Sequence, residues 1–258
     1  TRMVVLAILL VLIMLLALGA GQYALPLPKV AGILCAGMAG AALALSGASL
    51  QGIFRNPLVD PHVIGVTSGA AFGGTMAIFL GLGIYGLFFS TLLAGLVTLV
   101  LIFAFSHRLI QRSLLMLILT GMIISGFFSA LVSLLQYLSD TEDKLPSIVF
   151  WLMGSFATSN PQKLLMLAIP VALCSGVLLG LRWRLNLLSL GEREARALGV
   201  NIRPLRWLVI FCSGMLVASQ VAVSGSIAQA NTRQKTSPVV PTKKTSQAVP
   251  TGMKMRPP

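Results

Sequence analysis

The sequence is poor in charge. Asp, Glu, Lys and Arg make up 10% of its 258 residues, against about 25% in an ordinary soluble domain. Acidic residues number six and histidines two. None of the long apolar runs carries Asp, Glu, Lys, Arg or His at its middle. That absence argues against a proton-coupled carrier or a selective ion path, which place ionisable groups at membrane depth. It argues equally against a site for a bare metal ion, which needs His, Cys or carboxylate ligands. Cys35, Cys174 and Cys212 all fall inside apolar runs, form no CxxC and have no neighbouring His. They read as small packing residues, not as a disulfide or a metal centre. A G-x-x-x-x-G-K-[ST] phosphate loop is missing too, so the chain is not itself a P-loop ATPase. The sequence therefore nominates no catalytic residue, no metal ligand and no bound cofactor.

What is present is hydrophobic residues, 56% of the chain, gathered in blocks. Runs of about 18 or more can cross a hydrocarbon core of roughly 30 Å as helices. Seven such spans are expected, at residues 3–20, 30–51, 63–82, 86–105, 114–138, 164–181 and 205–224. The fold class is an all-α, polytopic transmembrane helical bundle. The first span reads as a retained helix, because no clear small-x-small cleavage site is followed by a soluble domain.

The formal charge of +13 does not point to nucleic acid, because topology explains most of it. With the N-terminus inside, the inner segments carry Arg2, Arg55, Arg108, Arg112, Arg182, Arg184, Arg193, Arg196, Arg203 and Arg206. The outer segments then carry Lys29, Lys144 and Lys163. Basic residues collect on the cytoplasmic side, so this orientation is expected.

Small residues recur along three spans. Gly32, Ala36, Gly40, Ala44, Ala48 and Gly52 lie four apart in the second. Gly65, Gly69, Gly73, Ala77 and Gly81 continue in the third, and Gly121, Ser125, Ser129 and Ser133 lie in the fifth. Such spacing lets helix backbones approach closely in lipid, so all three are expected inside the bundle. The stripes either pack helices or line a passage. The positions singled out for packing or pathway are Gly40, Ser46, Gly47, Ser49, Gly65, Ser68, Gly69, Gly73, Gly121 and Ser125.

Three segments between spans carry further signals. Arg55, Asn56, Pro57, Asp60 and Pro61 form an inner-face turn, where each X-Pro step biases the preceding residue away from helix. Asn and Asp side chains can satisfy the freed backbone groups there, and His62 reads as a helix-start residue. On the outside, residues 145–160 are apolar but too short to cross, and Trp151 and its flanking phenylalanines suit the headgroup region, so the segment reads as an interfacial or re-entrant piece. They follow an acidic patch of Asp140, Glu142 and Asp143, read as a solvated loop or as a docking site for an external partner. On the inside, residues 182–206 hold one short amphipathic helix. Glu192 and Arg196 stand four apart in the favoured order, and Gly199 ends the helix at a left-handed position. That helix lies on the membrane or enters a groove on a partner.

Three stretches closely resemble the FecCD-type permease subunits of bacterial ABC importers for iron–siderophores, haem and vitamin B12. They are GASLQGIFRNPLVDPHVIGVTSGAAFG (47–73), WLMGSFA (151–157) and LNLLSLGEREARALGV (185–200), and the match runs in the family's order to about Ile227. The resemblance implies a permease dimer, homo- or heteromeric, in the bacterial inner membrane. Its partners would be cytoplasmic ABC ATPase subunits, which use the ATP, and a periplasmic or lipid-anchored binding protein. It places Leu187, Leu190, Gly191, Glu192, Glu194, Arg196 and Gly199 at the ATPase-coupling interface. Asp140, Glu142, Asp143 and the Trp151 region would face the binding protein. The implied cargo is a metal chelate or cobalamin.

The pattern departs after SGSI (224–227). Family members continue with a GFxGLxxPH stretch and further spans, to about ten. Here residues 228–258 hold five prolines, six basic residues and no aromatic, a composition that reads as a disordered tail. The expected organisation is an incomplete permease domain over 1–227 and a tail over 228–258, as in a truncated or frame-shifted product. Such a product is either a non-functional remnant or one part of a split permease. A seven-span receptor and a membrane enzyme are the competing classes. The charge asymmetry disfavours the first. The second lacks a catalytic set, since His62 and His107 fall in different loops.

Overall fold

A computed structural model describes residues 27–57, 59–109, 114–156 and 159–225, with Leu9, Leu12 and Ile13. Apart from those three, the expected first span and the tail over 228–258 lie outside the described residues. Among the described residues there are nine α-helices and no strand. They are α1 (Leu27–Phe54), α2 (Val66–Phe79), α3 (Ile84–Leu109), α4 (Leu114–Leu138), α5 (Lys144–Met153), α6 (Pro161–Gly180), α7 (Arg182–Leu190), α8 (Glu192–Ala197) and α9 (Ile202–Ser224), with a 3-10 turn at Pro61–Ile64 before α2. Five stretches are long and apolar enough to cross a membrane: Val30–Phe54, Ile84–Phe105, Ile118–Leu138, Pro161–Gly180 and Pro204–Ser224. This is the helical membrane bundle expected from composition.

The expected span at 63–82 holds a shorter helix than expected, led in by the 3-10 turn at Pro61–Ile64. Its helix, α2, has 14 residues and reaches about 21 Å, short of a hydrocarbon core of roughly 30 Å. Both ends are set by left-handed glycines, Gly65 at φ +87° and Gly81 at φ +69°. The C-terminal stop is a Schellman arrangement, with Leu82 N–H bonded to Ala77 O at 2.9 Å and Gly81 N–H to Ile78 O at 3.0 Å. A helix end at membrane depth must have its polar groups satisfied within the protein. Lys144 Nζ donates to Phe79 O at 3.0 Å, and Ser90 Oγ donates to Gly73 O at 2.8 Å.

α2 and α9 form the centre. Ten of the 14 residues of α2 are buried, and 78% of the α9 span is buried, against 22–33% for the other four spans. Glycines set the close approaches. Gly69 lies against Thr98, Gly73 against the Ser90 backbone and Ala94, Gly95 against Ala218, Gly214 against Leu99, and Gly65 against the Gly121 carbonyl. A methyl added at any of these would meet neighbouring atoms, so α2, α3, α4 and α9 sit at contact distances only glycine permits.

The second expected stripe is turned differently. In α1 the buried side is Ala31, Cys35, Ala39, Ala42, Ser46, Ser49, Leu50 and Ile53. Ala36, Gly40, Ala44 and Ala48 are exposed among the described residues, and Gly40 has nothing near its α-carbon. Each four-residue step advances about 400° around a helix of 3.6 residues per turn. A strict repeat therefore drifts about 40° per step and leaves the face it began on. The buried set, spaced by threes and fours, stays on one side.

On the other end, α5 is tucked in rather than laid flat. Ile148 is fully buried, and the Trp151 ring fills the space beside Gly74. Ser155 N–H bonds to Ser224 O at 2.8 Å, closing α9. Phe150 is strongly exposed, at 75%, and the half-buried Trp151 packs against α2.

Candidate functional site

The inner-face turn forms as its residue types require. Asp60 accepts the His62 N–H at 2.8 Å and caps the 3-10 turn that Pro61 opens. The Pro61 ring covers Gly47 at 3.6 Å. Asn56 O accepts from Val59 N–H at 3.3 Å, and Pro57 is exposed. His62 Nδ1 lies 2.9 Å from Thr67 Oγ1 at the start of α2. Burial pulls the His62 pKa below its usual value, and the Asp60 carboxylate partly offsets that.

The expected single helix over 182–206 is instead two short ones followed by the start of α9. Gly191 separates α7 from α8, and the Glu194 carboxylate folds back over its α-carbon, leaving no space for a side chain. α8 ends in a Schellman stop, with Val200 N–H bonded to Ala195 O at 2.9 Å and Gly199 N–H to Arg196 O at 3.0 Å. Gly199 has φ +79°, the left-handed conformation that suits glycine. Leu188 and Ala195 anchor the pair in the core. Leu190, Arg193, Glu194 and Arg196 are exposed, and Leu187 is half-buried. Glu192 opens α8.

One bond joins the two segments. Arg55, at φ +48°, donates from Nε to Leu188 O at 3.1 Å. Between the end of α1 and the α7–α8 corner lies a cleft of about 450 Å³ bordered by Phe54, Arg55, Leu190, Gly191, Arg193 and Glu194. Three arginines, Arg206 included, against one glutamate give it a basic character.

The packing candidates divide. Ser46 Oγ donates to Ser213 O at 3.4 Å, and Ser49, Gly65, Ser68, Gly69, Gly73 and Gly121 are buried. Ser125 lies beside Gly65, whereas Gly40 stands apart. Asp140, Glu142 and Asp143 are exposed at the opposite end, where Asp140 accepts the Glu142 N–H at 3.1 Å. Sequence reasoning missed Thr98, Ser213 and Gln220. The last two lie on α9, where four polar residues, Ser213, Ser219, Gln220 and Ser224, occur in one apolar span. Polar groups in lipid must face protein, and that signal marks α9 as central. Among the described residues no group of three or more His, Cys, Asp or Glu could hold a metal ion.

Fold and site together define an all-α, multi-span membrane protein. The chain belongs to the FecCD transport family, whose model matches residues 9–228. It is 71% identical over 201 residues to the molybdate import system permease protein MolB of Haemophilus influenzae, a match covering 78% of this chain and 59% of that protein. It is 39% identical over 198 residues to a protein of Helicobacter pylori described as a probable iron chelatin transport system permease, covering 76% of this chain and 59% of that one. The chain thus spans about three-fifths of the length of these relatives. A solved inward-facing ABC transporter, described as of the metal-chelate type, is similar with a TM-score of 0.78 and 60% identity. The match covers 89% of this chain and 79% of that one.

Proposed function

We propose that the chain is the membrane-spanning permease part of a binding-protein-dependent ABC importer in the bacterial inner membrane. A separate cytoplasmic ATPase drives it, and the chain itself does no catalysis. The observation that carries this reading is the platform of α7 and α8. Its anchors Leu188 and Ala195 are buried, Arg193, Glu194 and Arg196 are exposed, and it is bonded through Arg55 to the turn between α1 and α2. An ATPase seated on this platform would push on a short buried helix locked to its neighbours by glycine contacts. The N-terminus is placed inside, and the acidic loop at Asp140, Glu142 and Asp143 faces the binding protein.

The cargo favoured is molybdate or a similar oxyanion, because the relative at 71% identity is a molybdate permease. A path without fixed charge at mid-depth holds such an anion weakly and lets it pass. An iron chelate is the second reading, supported by the relative at 39% identity. Haem and cobalamin come third, supported by relatives at 36% and 34% identity described as hemin and vitamin B12 permeases. The test is uptake of labelled molybdate and of labelled ferric siderophore into liposomes holding the permease with its ATPase and binding protein. ATP-dependent molybdate accumulation is expected. Siderophore uptake without molybdate uptake would overturn the cargo, and uptake of neither would overturn the importer reading.

A further inference from the structure

Where α6 leaves the membrane and α9 enters it, α7 and the first turns of α9 enclose a groove of about 430 Å³. Its walls include Leu181, Leu187, Leu205 and Leu208, and its rim carries Trp183 and Arg184. No acidic side chain lines it. Trp183 is 70% exposed and Leu208 42% exposed. Arg184 and its neighbour Arg182 are exposed and make no ion pair or side-chain hydrogen bond with a described residue.

We propose that this groove binds an anionic phospholipid of the cytoplasmic leaflet. One acyl chain would run along Leu208, over the buried Leu205, with the headgroup phosphate at Arg184 and Arg182 and Trp183 at headgroup level. Depth decides between occupants. Leu205 and Leu208 belong to the membrane-crossing stretch Pro204–Ser224, so the groove opens at acyl-chain depth, which a soluble subunit does not reach. Charge agrees, because basic pockets between membrane helices on the cytoplasmic side attract anionic headgroups, and an exposed indole beside them suits the interface. The proposal takes the inner-face placement of α7 from the reading above. Lipid preference and transport are measured separately, so either can fail alone.

The test is native mass spectrometry of the detergent-purified full chain titrated with dioleoyl phosphatidylglycerol and dioleoyl phosphatidylcholine. Saturable, tighter binding of phosphatidylglycerol is expected. Arg182→Gln/Arg184→Gln should weaken it about five-fold per arginine and leave phosphatidylcholine unchanged. Circular dichroism checks that the variant keeps its helices. Equal binding of the two lipids, or an undiminished preference in the variant, overturns the proposal. So does a variant that loses its ATPase on co-purification yet keeps its lipid preference, because that outcome assigns the groove to a protein partner.

Discussion

Arg55 Nε and the carbonyl oxygen of Leu188 lie 3.1 Å apart across 133 residues of chain. The bond connects the left-handed corner after α1 to the last turn of α7. It is a side-chain link between the turn that launches α2 and the platform proposed to seat the ATPase. Arg55→Gly separates its two roles. Glycine relieves a left-handed conformation costing about 1 kcal/mol, while loss of the bond costs about 1 kcal/mol. Thermal stability should therefore move little. Transport per ATP hydrolysed should fall several-fold if the bond transmits force, and wild-type coupling in this variant would rule the linkage out.

Gly69 lies so close to Thr98 that an added methyl would overlap its hydroxyl and sit 2.7 Å from its Cβ. Gly69→Ala should destabilise the bundle by about 1–3 kcal/mol, the usual cost of overpacking, read as a lower melting temperature in detergent. Thr98→Ala in the same chain should recover part of the loss and not all of it, because the Cβ remains. Full recovery, or no loss in the single variant, would show that α2 and α3 adjust their spacing more freely than the glycine contacts imply.

The contrast between α1 and α2 explains how far the sequence could be read. Apolar run length located five spans because lipid imposes that length on any crossing helix. It overestimated the helix at residues 63–82, where Gly65 and Gly81 set its ends and the leftover backbone groups are capped within the protein. Small-residue spacing identified Gly65, Gly69 and Gly73 as contacts, since over three residues a four-residue repeat drifts little. In α1 the stripe positions Ala36 and Gly40 follow one residue after the buried Cys35 and Ala39, about 100° around the helix, and so lie on the exposed side. The coupling segment was legible at Gly199, whose left-handed turn leaves a direct local signal. The break at Gly191 was not, because a lone glycine in a helical pattern does not announce its φ, here +158°. Arg55 was legible as a basic residue at the inner face, and its partner Leu188 was not, because a backbone carbonyl has no sequence signature.

His62 gives a pH dependence with a definite sign. Burial lowers its pKa in the folded chain below the unfolded value of about 6.5. The unfolded state therefore binds the proton first as pH falls. Its contribution to stability is complete above the unfolded pKa, declines as pH drops below it, and levels off below the folded pKa. The melting temperature should fall on acidification through that window. His62→Gln, which cannot titrate, should remove that part of the slope. An unchanged slope in the variant would assign the acid sensitivity to other groups.

Asp140, Glu142 and Asp143 stand together and exposed at the end opposite the platform. The Asp140 carboxylate bonds only locally, to the Glu142 N–H, while Lys144 beside them is turned away to the Phe79 carbonyl. That leaves three negative charges on a short, fixed corner ahead of α5. Exposed charges steer encounter more than they hold a complex. Reversing all three to lysine should slow association with the binding protein by tenfold or more at low salt, with a smaller effect on dissociation. Added salt should shrink the difference, because exposed charges are screened within about 10 Å at 0.1 M. Surface plasmon resonance across a salt series checks both. An association rate that ignores the reversal means that the corner is a solvated loop and that docking uses other residues.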